Sequence, residues 1–184
     1  MDTRRLPTSI TIKDIECPIN SDYRDILDIF KIFNDPDLLD GEKAYVALVY
    51  FYKTDDYMVD TELAIKELFE FITMGEDDTS SNNTKQLYDW EQDFNIIVSP
   101  INKAMGTDIR GLEYLHWWTF LSAFMEIGEC TFNTYVGIRD KINSGKKLEK
   151  HEERIYKENR NKIQLKKRYD NTTQALMDEI LGRE

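Results

Sequence analysis

The chain has 184 residues, of which 41% are hydrophobic and 12% aromatic, a composition that excludes a wholly disordered protein and suffices for one domain with a core. Its net charge of −11 argues against a general nucleic-acid binder, because a basic surface would have to overcome the acidic bulk to attract phosphate. No uncharged apolar run of about 18 residues occurs, and the first residues lack a secretory apolar segment, so we expect a cytosolic protein.

Charge is distributed unevenly along the chain. Residues 1–130 contain 11 basic and 26 acidic side chains, whereas residues 131–184 contain 13 basic and 9 acidic ones. This asymmetry would allow the C-terminal part of one copy to associate with the body of another, although such charge is often only a solvated face. Cys17 and Cys130 match no paired-cysteine spacing, which favours ordinary thiols over a disulfide or a zinc site.

The N-terminal residues predict a small hairpin followed by a helix. Residues 10–13 and 15–19 are two β-prone pieces separated by a single aspartate, as in a tight hairpin. Apolar side chains then recur at helical spacing over residues 23–33, and Ser21 or Asp22 is available to cap the first turn.

Two more helices are predicted before an acidic loop. Residues 44–52 are all apolar and fit either a buried strand or a buried helix; a cap at Asp40 and the alanine and leucine content favour the helix. Asp60 begins the next helix, and Gly75 is placed to end it in a left-handed conformation. The acidic and small polar residues 76–84 predict an exposed loop.

The following two helices carry much of the predicted core. Residues 90–105 keep the helical period, but Pro100 removes one backbone hydrogen bond, so a kink or break is expected at residues 96–99. Residues 111–127 predict an apolar helix on which the tryptophans face one way and His116 nearly the opposite way. The predicted core side chains here are Phe94, Trp117, Trp118, Leu121 and Phe124.

The C-terminal part predicts a charged extension. Thr131 is a candidate cap for a short helix, and residues 143–147 predict a turn. Residues 148–169 are highly charged with few apolar side chains, a pattern typical of a solvated helix. Residues 176–181 form a narrow apolar stripe that either folds back on the core or docks on another chain.

Together these elements predict a mainly α fold. We expect a single-domain, multi-helix bundle with a small N-terminal β-hairpin and a long charged C-terminal helix. The helical core with its hairpin is assigned to residues 1–145, and the charged helical extension to residues 146–184.

Motifs for catalysis or metal binding are weak. Glu113 and His116 stand three residues apart, a spacing at which one helix can present both to an iron or manganese ion. A dimetal site needs a second such pair, but His151 has Leu148 at the matching position. Residues 35–41 resemble a calcium loop that lacks its later oxygen ligands. We therefore predict no metal, no cofactor and no catalytic residue, and hence no enzyme.

Partner contacts are predicted in the charged extension. Residues 157–168 contain six basic side chains that could contact an acidic protein surface, although an exposed helix face is the simpler interpretation. The stripe at residues 176–181 is a second candidate contact. The predicted partner-binding side chains are Lys157, Arg160, Lys166, Lys167, Arg168, Leu176, Met177, Ile180 and Leu181.

Several segments, taken in order, resemble a known family. They are CPINSDYRDIL, DGEKAYVALVYFY, YDWEQDFNIIVSPI, LEYLHWWTFLSAF, CTFNTYVGIRDK and the charged YKENRNKI. Over about residues 15–168 they resemble the bacteriophage gene-product-fifteen (Gp15) family, from long-tailed phages and prophages of Gram-positive bacteria. The resemblance implies a gene among the tail genes, near those for the major tail protein and the tape measure protein. Pro100 and residues 170–184 depart from the family pattern.

What the resemblance implies is a tail assembly chaperone, a non-catalytic helical protein acting in the cytoplasm of the bacterial host while the tail is built. The implied partners are the tape measure protein and the tail-tube protein. Self-association is also expected, and neither nucleic acid nor membrane is an expected partner. Two alternatives stay open: a minor structural tail protein retained in the virion, and a helical metalloenzyme that uses Glu113 and His116.

Overall fold

The computed structural model of the protein describes residues 4–75 and 86–166. Within these residues it contains one β-hairpin and eight α-helices, so the predicted mainly α fold with an N-terminal hairpin is confirmed. The strands are β1 (Ser9–Ile12) and β2 (Ile15–Pro18). The helices are α1 (Tyr23–Phe33), α2 (Asp40–Phe51), α3 (Thr61–Ile72), α4 (Trp90–Met105), α5 (Trp117–Met125), α6 (Thr131–Asn143), α7 (Lys150–Glu158) and α8 (Arg160–Ile163).

The described residues form two compact units. The first unit comprises residues 4–75 and 114–119, and the second comprises residues 86–113 and 120–166. The first unit is therefore discontinuous along the chain. The division at residues 145 and 146 stays a prediction. The predicted loop at residues 76–84 lies outside the described residues.

The hairpin has a two-residue turn and a fixed register. Ile10 pairs with Cys17, and Ile12 pairs with Ile15 across the turn. Lys13 in the turn adopts a φ of 54°, a left-handed conformation that lets a short hairpin connection follow the strand twist. The inward side chains of Ile10, Ile12 and Cys17 are buried, which fixes the register by the alternation of faces.

Helices α1 and α3 begin as predicted, whereas the start of α2 was wrong by one residue. Asp22 accepts the backbone N–H of Arg24, and Asp60 accepts that of Leu63 at 3.1 Å. In α2 the cap position is Leu39, and Asp40 is the first helical residue. A carboxylate in the first turn of a helix still interacts favourably with the helix dipole, which accounts for Asp40 near this end.

The end of α3 and the course of α4 test two further predictions. Gly75 has a φ of 72° and donates its N–H to the carbonyl of Glu70 at 2.8 Å, so the predicted helix end is confirmed. Of the kink or break expected at residues 96–99, the break is wrong, because α4 continues through Pro100 to Met105. Burial of Ile97, Val98 and Ile101 on either side of the proline holds the helix together despite one missing hydrogen bond.

The predicted helix at residues 111–127 is wrong in its first part. Helix α5 begins only at Trp117, and residue 116 instead forms an isolated antiparallel bridge with Asp22. The N–H of Tyr23 donates to the carbonyl of Leu115, and the N–H of Trp117 donates to that of Ser21. These tertiary hydrogen bonds take backbone groups that a helix would use, so they override the local helical pattern.

The C-terminal elements differ from the prediction in length and number. Cys130 and not Thr131 occupies the cap position of α6, and this helix extends to Asn143. Gly145, with a φ of 66°, forms the predicted turn. The long charged helix is instead divided into α7 and α8, which meet at Asn159. Residues 167–184, including the predicted stripe at 176–181, lie outside the described residues.

Candidate interaction surface

A buried ion pair joins α4 to α6 in the second unit. The guanidinium of Arg139 donates to both carboxylate oxygens of Asp93, at 2.6 and 2.9 Å. The side chains of Arg139 and Asp93 are only 5% and 2% exposed. Two charges removed from water in this way are stable only when further hydrogen bonds satisfy their remaining groups.

The remaining N–H groups of Arg139 bind the backbone of two other segments. Its Nε donates to the carbonyl of Ile163 at 2.6 Å, and Nη2 donates to that of Lys162 at 2.9 Å. Nη1 also donates to the carbonyl of Leu87 at 3.0 Å. Since a guanidinium has five N–H groups, every one of them has an acceptor here. Arg139 thereby fixes the segment after α7 against α4 and α6.

Gln92 supports the same segment from α4. Its Nε2 donates to the carbonyls of Lys162 and Gln164, at 3.1 and 2.9 Å. Its Oε1 accepts the backbone N–H of Lys166 at 2.9 Å. With Arg139, this side chain makes five hydrogen bonds to the backbone of residues 162–166. We call Arg139, Asp93 and Gln92 the arginine clamp.

An apolar cluster lies beside the arginine clamp and positions α7. Its buried members are Tyr135, Ile138 and Ile163, against which pack Ile96, Leu148, Ile155 and Tyr156. Helix α7 thus packs two half-buried side chains, Ile155 and Tyr156, against this cluster, although its overall composition is strongly polar. The charged side chains of α7, which the sequence assigned to a solvated helix, therefore lie on a helix whose other side packs against the apolar cluster.

Four exposed basic side chains lie on or next to the segment that the arginine clamp holds, and we call them the basic surface. Lys157, Arg160, Lys162 and Lys166 are all exposed, while the backbone between residues 162 and 166 is held by the clamp. A basic side chain on an ordered backbone costs less conformational entropy to bind than one on a free chain. The other predicted partner-binding residues, Lys167, Arg168, Leu176, Met177, Ile180 and Leu181, lie outside the described residues.

The predicted core residues divide into two groups. Trp117 and Trp118 are buried in the first unit, where their indole N–H groups donate to the carbonyls of Ile72 and Phe71 at 2.9 and 2.8 Å. Both carbonyls belong to the last turn of α3, whose carbonyls lie beyond the regular intrahelical pattern. That of Phe71 also accepts the backbone N–H of Met74 at 3.2 Å, so the indole of Trp118 adds a second donor there. Phe94, Leu121 and Phe124 are half-buried.

His116 is a buried structural histidine in the first unit. Its Nδ1 accepts the backbone N–H of Trp118 at 3.0 Å, and its Nε2 lies 2.9 Å from the carbonyl oxygen of Pro7. These contacts require the neutral ring with its proton on Nε2. Burial lowers the pKa of His116, and the hydrogen bond to Pro7 opposes this shift.

The proposed pairing of Glu113 with His116 on one helix is wrong. Both residues precede the first residue of α5, and Glu113 is exposed whereas His116 is buried. Both ring nitrogens of His116 already have backbone partners, so neither is available as a ligand. Across residues 4–75 and 86–166, no group of three or more histidine, cysteine, aspartate or glutamate side chains could hold a metal ion.

Sequence reasoning missed the arginine clamp. Asp93 lies one turn before the buried Ile97, and Arg139 lies one turn after the buried Tyr135. Opposite charges on the core faces of two helices are a detectable signal for a buried pair. The three backbone acceptors and the role of Gln92 could not be predicted this way, because they depend on the tertiary positions of Leu87 and of residues 162–166.

The described residues belong to a mainly helical protein whose exposed basic side chains lie next to a segment held by the arginine clamp. None of the described helices is long and apolar enough to cross a membrane. A family model described as Bacteriophage Gp15 protein matches residues 3–170. The chain therefore belongs to this bacteriophage family, as the sequence resemblance indicated, and this membership indicates a structural or tail-related phage protein. No curated protein and no solved structure matches the chain.

Proposed function

We propose that this protein is a tail assembly chaperone that binds the tape measure protein in the host cytoplasm during tail morphogenesis. It acts through protein contacts and performs no catalysis. Family membership supports the phage setting, and the basic surface held by the arginine clamp is the observation that carries the binding role. A long helical partner can be held by many weak contacts that add along its length.

The arginine clamp fits a binding role better than a catalytic one. It holds backbone carbonyls and a carboxylate in saturated hydrogen bonds, so Arg139 has no N–H group left for a substrate. Its effect is to fix the backbone from which Arg160 and Lys166 project into solvent. Electrostatic contacts of this kind accelerate encounter and select the partner by charge.

Pull-down with the tape measure protein encoded by the same phage tests this function. We expect the double variant Arg160→Glu, Lys166→Glu to reduce capture at low salt by about tenfold or more, because it reverses two exposed charges on the surface. The matched control is Lys146→Glu, Lys147→Glu, which reverses two exposed lysines in the turn after α6. Equal capture by both double variants would contradict the assigned surface.

Composition of the finished particle tests the chaperone role itself. An assembly chaperone leaves its partner, so mass spectrometry of purified virions should detect the tape measure protein and not this chain. Stoichiometric retention of this chain in virions would instead identify a structural tail protein. Failure of the wild-type chain to bind the tape measure protein at low salt would reject the proposal.

A further inference from the structure

Helix α2 carries an apolar stripe on its outward side. Tyr45, Val49 and Tyr50 are 58%, 49% and 37% exposed, and Val46 between them is half-buried. The opposite side of α2 is buried. The outward stripe therefore exists in addition to the face that packs on the core, which distinguishes it from scattered surface residues. We call these four residues the α2 stripe.

Acidic side chains border the α2 stripe. The hydroxyl of Tyr50 donates to the carboxylate of Asp28 at 3.2 Å. Asp25, one turn earlier on α1, has a pKa raised by burial and by the neighbouring charges of Asp22 and Asp28. Residues 4–75 as a whole contain 8 basic and 15 acidic side chains. Lys31 already pairs with Asp28 at 2.6 Å, so the attraction of a positively charged partner rests on the acidic excess of residues 4–75 as a whole.

The chain itself contains a segment with the complementary pattern. Residues 160–168 include five basic and no acidic side chains, and they lead to Leu176, Met177, Ile180 and Leu181. These four apolar residues have the spacing i, i+1, i+4, i+5, which is also the spacing of the α2 stripe. The segment therefore offers apolar side chains at the same sequence spacing as the exposed apolar side chains of α2, and the two sets can cover one another.

We propose that the C-terminal segment of one copy, carrying residues 176–181, docks on the α2 stripe of a second copy, with the basic residues before it facing the acidic border. Such a contact joins different surfaces of the two molecules, so it can extend from copy to copy. It is also small, since the α2 stripe spans only about 1.5 helical turns, and association is therefore weak and concentration-dependent. The inference does not depend on binding of the tape measure protein.

Light scattering of the purified full chain tests the acceptor surface. Val49→Lys places a cation in the α2 stripe and should shift self-association to at least tenfold higher concentration. Ile142→Lys is the matched control, because it also replaces an exposed β-branched residue of a helix, 43% exposed against 49% for Val49. Circular dichroism melting curves of both variants should match the wild type, which separates lost docking from lost folding.

A mixing experiment tests the pairing of the two surfaces. The chain lacking residues 170–184 keeps only the α2 stripe, and the Val49→Lys chain keeps only the C-terminal segment. Each alone should be monomeric, while an equimolar mixture should form a complex that stops at one copy of each. Added salt should weaken this complex, because exposed charges contribute to it.

Three results would overturn the proposal. The first is a wild-type chain that stays monomeric at all concentrations, because the segment then binds its own copy or nothing. The second is self-association of the Val49→Lys chain at wild-type strength, because another surface then receives the segment. The third is a mixture of the two variants that forms no complex. If Val49→Lys abolishes only tape measure capture, the α2 stripe receives that partner and not a second copy.

Discussion

The two nitrogens of His116 connect the N-terminal strand region to the first turn of α5. One nitrogen needs a proton to donate to Pro7, and the other must lack one to accept from Trp118. A second proton on the ring would destroy the hydrogen bond to Trp118 and place a charge in a buried site. The neutral ring is thus part of the folded structure.

Stability should therefore decrease in mild acid. Since the pKa of His116 is lowered on folding, the unfolded chain takes up a proton first, at its ordinary value of about 6.5. The stabilising contribution is complete above that pH and is lost as the pH falls toward the folded pKa. Urea unfolding between pH 7.5 and 5.5 should show this loss in the wild type.

Two variants isolate the histidine responsible. His116→Asn keeps an acceptor for the Trp118 N–H but has no group that titrates in this range, so its stability should vary less with pH. His151→Asn removes an exposed histidine and should leave the pH dependence of the wild type intact. The same dependence in all three chains would show that carboxylates, and not His116, cause it.

At individual residues, burial could be predicted from the sequence but tertiary hydrogen bonds could not. The pattern of Trp117 and Trp118 identified them as core residues, because aromatic side chains at helical spacing indicate burial. Their donation to the end of α3 could not be predicted, because it depends on residues that are 45 and 47 positions away. For the same reason His116 was wrongly predicted to lie on a helix: its backbone pairing with Asp22 is a tertiary contact.

Elements were predicted well where their own side chains determine them. The hairpin, α1 and α3 carry their turn, cap and periodicity signals locally, and the structure has them within about two residues of the expected bounds. Helix α5 and the pair α7 and α8 were predicted less well. In both cases backbone groups bind partners far along the chain, so local propensity did not decide the outcome.

The arginine clamp decides whether α8 stays attached to α4 and α6. Arg139→Met should destabilise the chain by about 3–5 kcal/mol, because Asp93 would remain buried without its partner. Thermal melting and urea unfolding measure this loss. Arg110→Met is the control, since its ion pair with Asp108 is exposed and such pairs contribute little.

Hydrogen exchange shows whether the loss is local to the clamp. In the Arg139→Met chain, amides of α4, α6 and α8 should exchange faster, because Arg139 connects these elements. Amides of α1 and α2 should change less. Unfolding curves of Arg139→Met and Arg110→Met that coincide would contradict the energetic role of the clamp.

The first unit is built from two separate parts of the chain. Residues 4–75 contain its hairpin and three helices, but residues 114–119 supply the two tryptophans that satisfy the end of α3. The family match over residues 3–170 includes both pieces. Position along the chain is therefore a poor guide to the two units.

A fragment of residues 1–79 should not melt cooperatively, because the carbonyls of Phe71 and Ile72 lose the indole donors and the aromatic core loses two rings. Appending residues 112–120 to this fragment through a short glycine-serine linker should restore a cooperative transition by circular dichroism. The same fusion with Trp117→Ala and Trp118→Ala is its control. Cooperative melting of the unmodified fragment would show that residues 114–119 are dispensable.

Because residues 114–119 belong to the first unit, the order of synthesis determines when that unit can complete its core. A ribosome makes the hairpin and α1 to α3 first, yet Trp117 follows its acceptor Ile72 by 45 residues. Until those residues emerge, the nascent first unit lacks two aromatic rings of its core, and the carbonyls of Phe71 and Ile72 lack their indole donors. Completion of the first unit must therefore wait until all of α4, which belongs to the second unit, and the segment after it have been made.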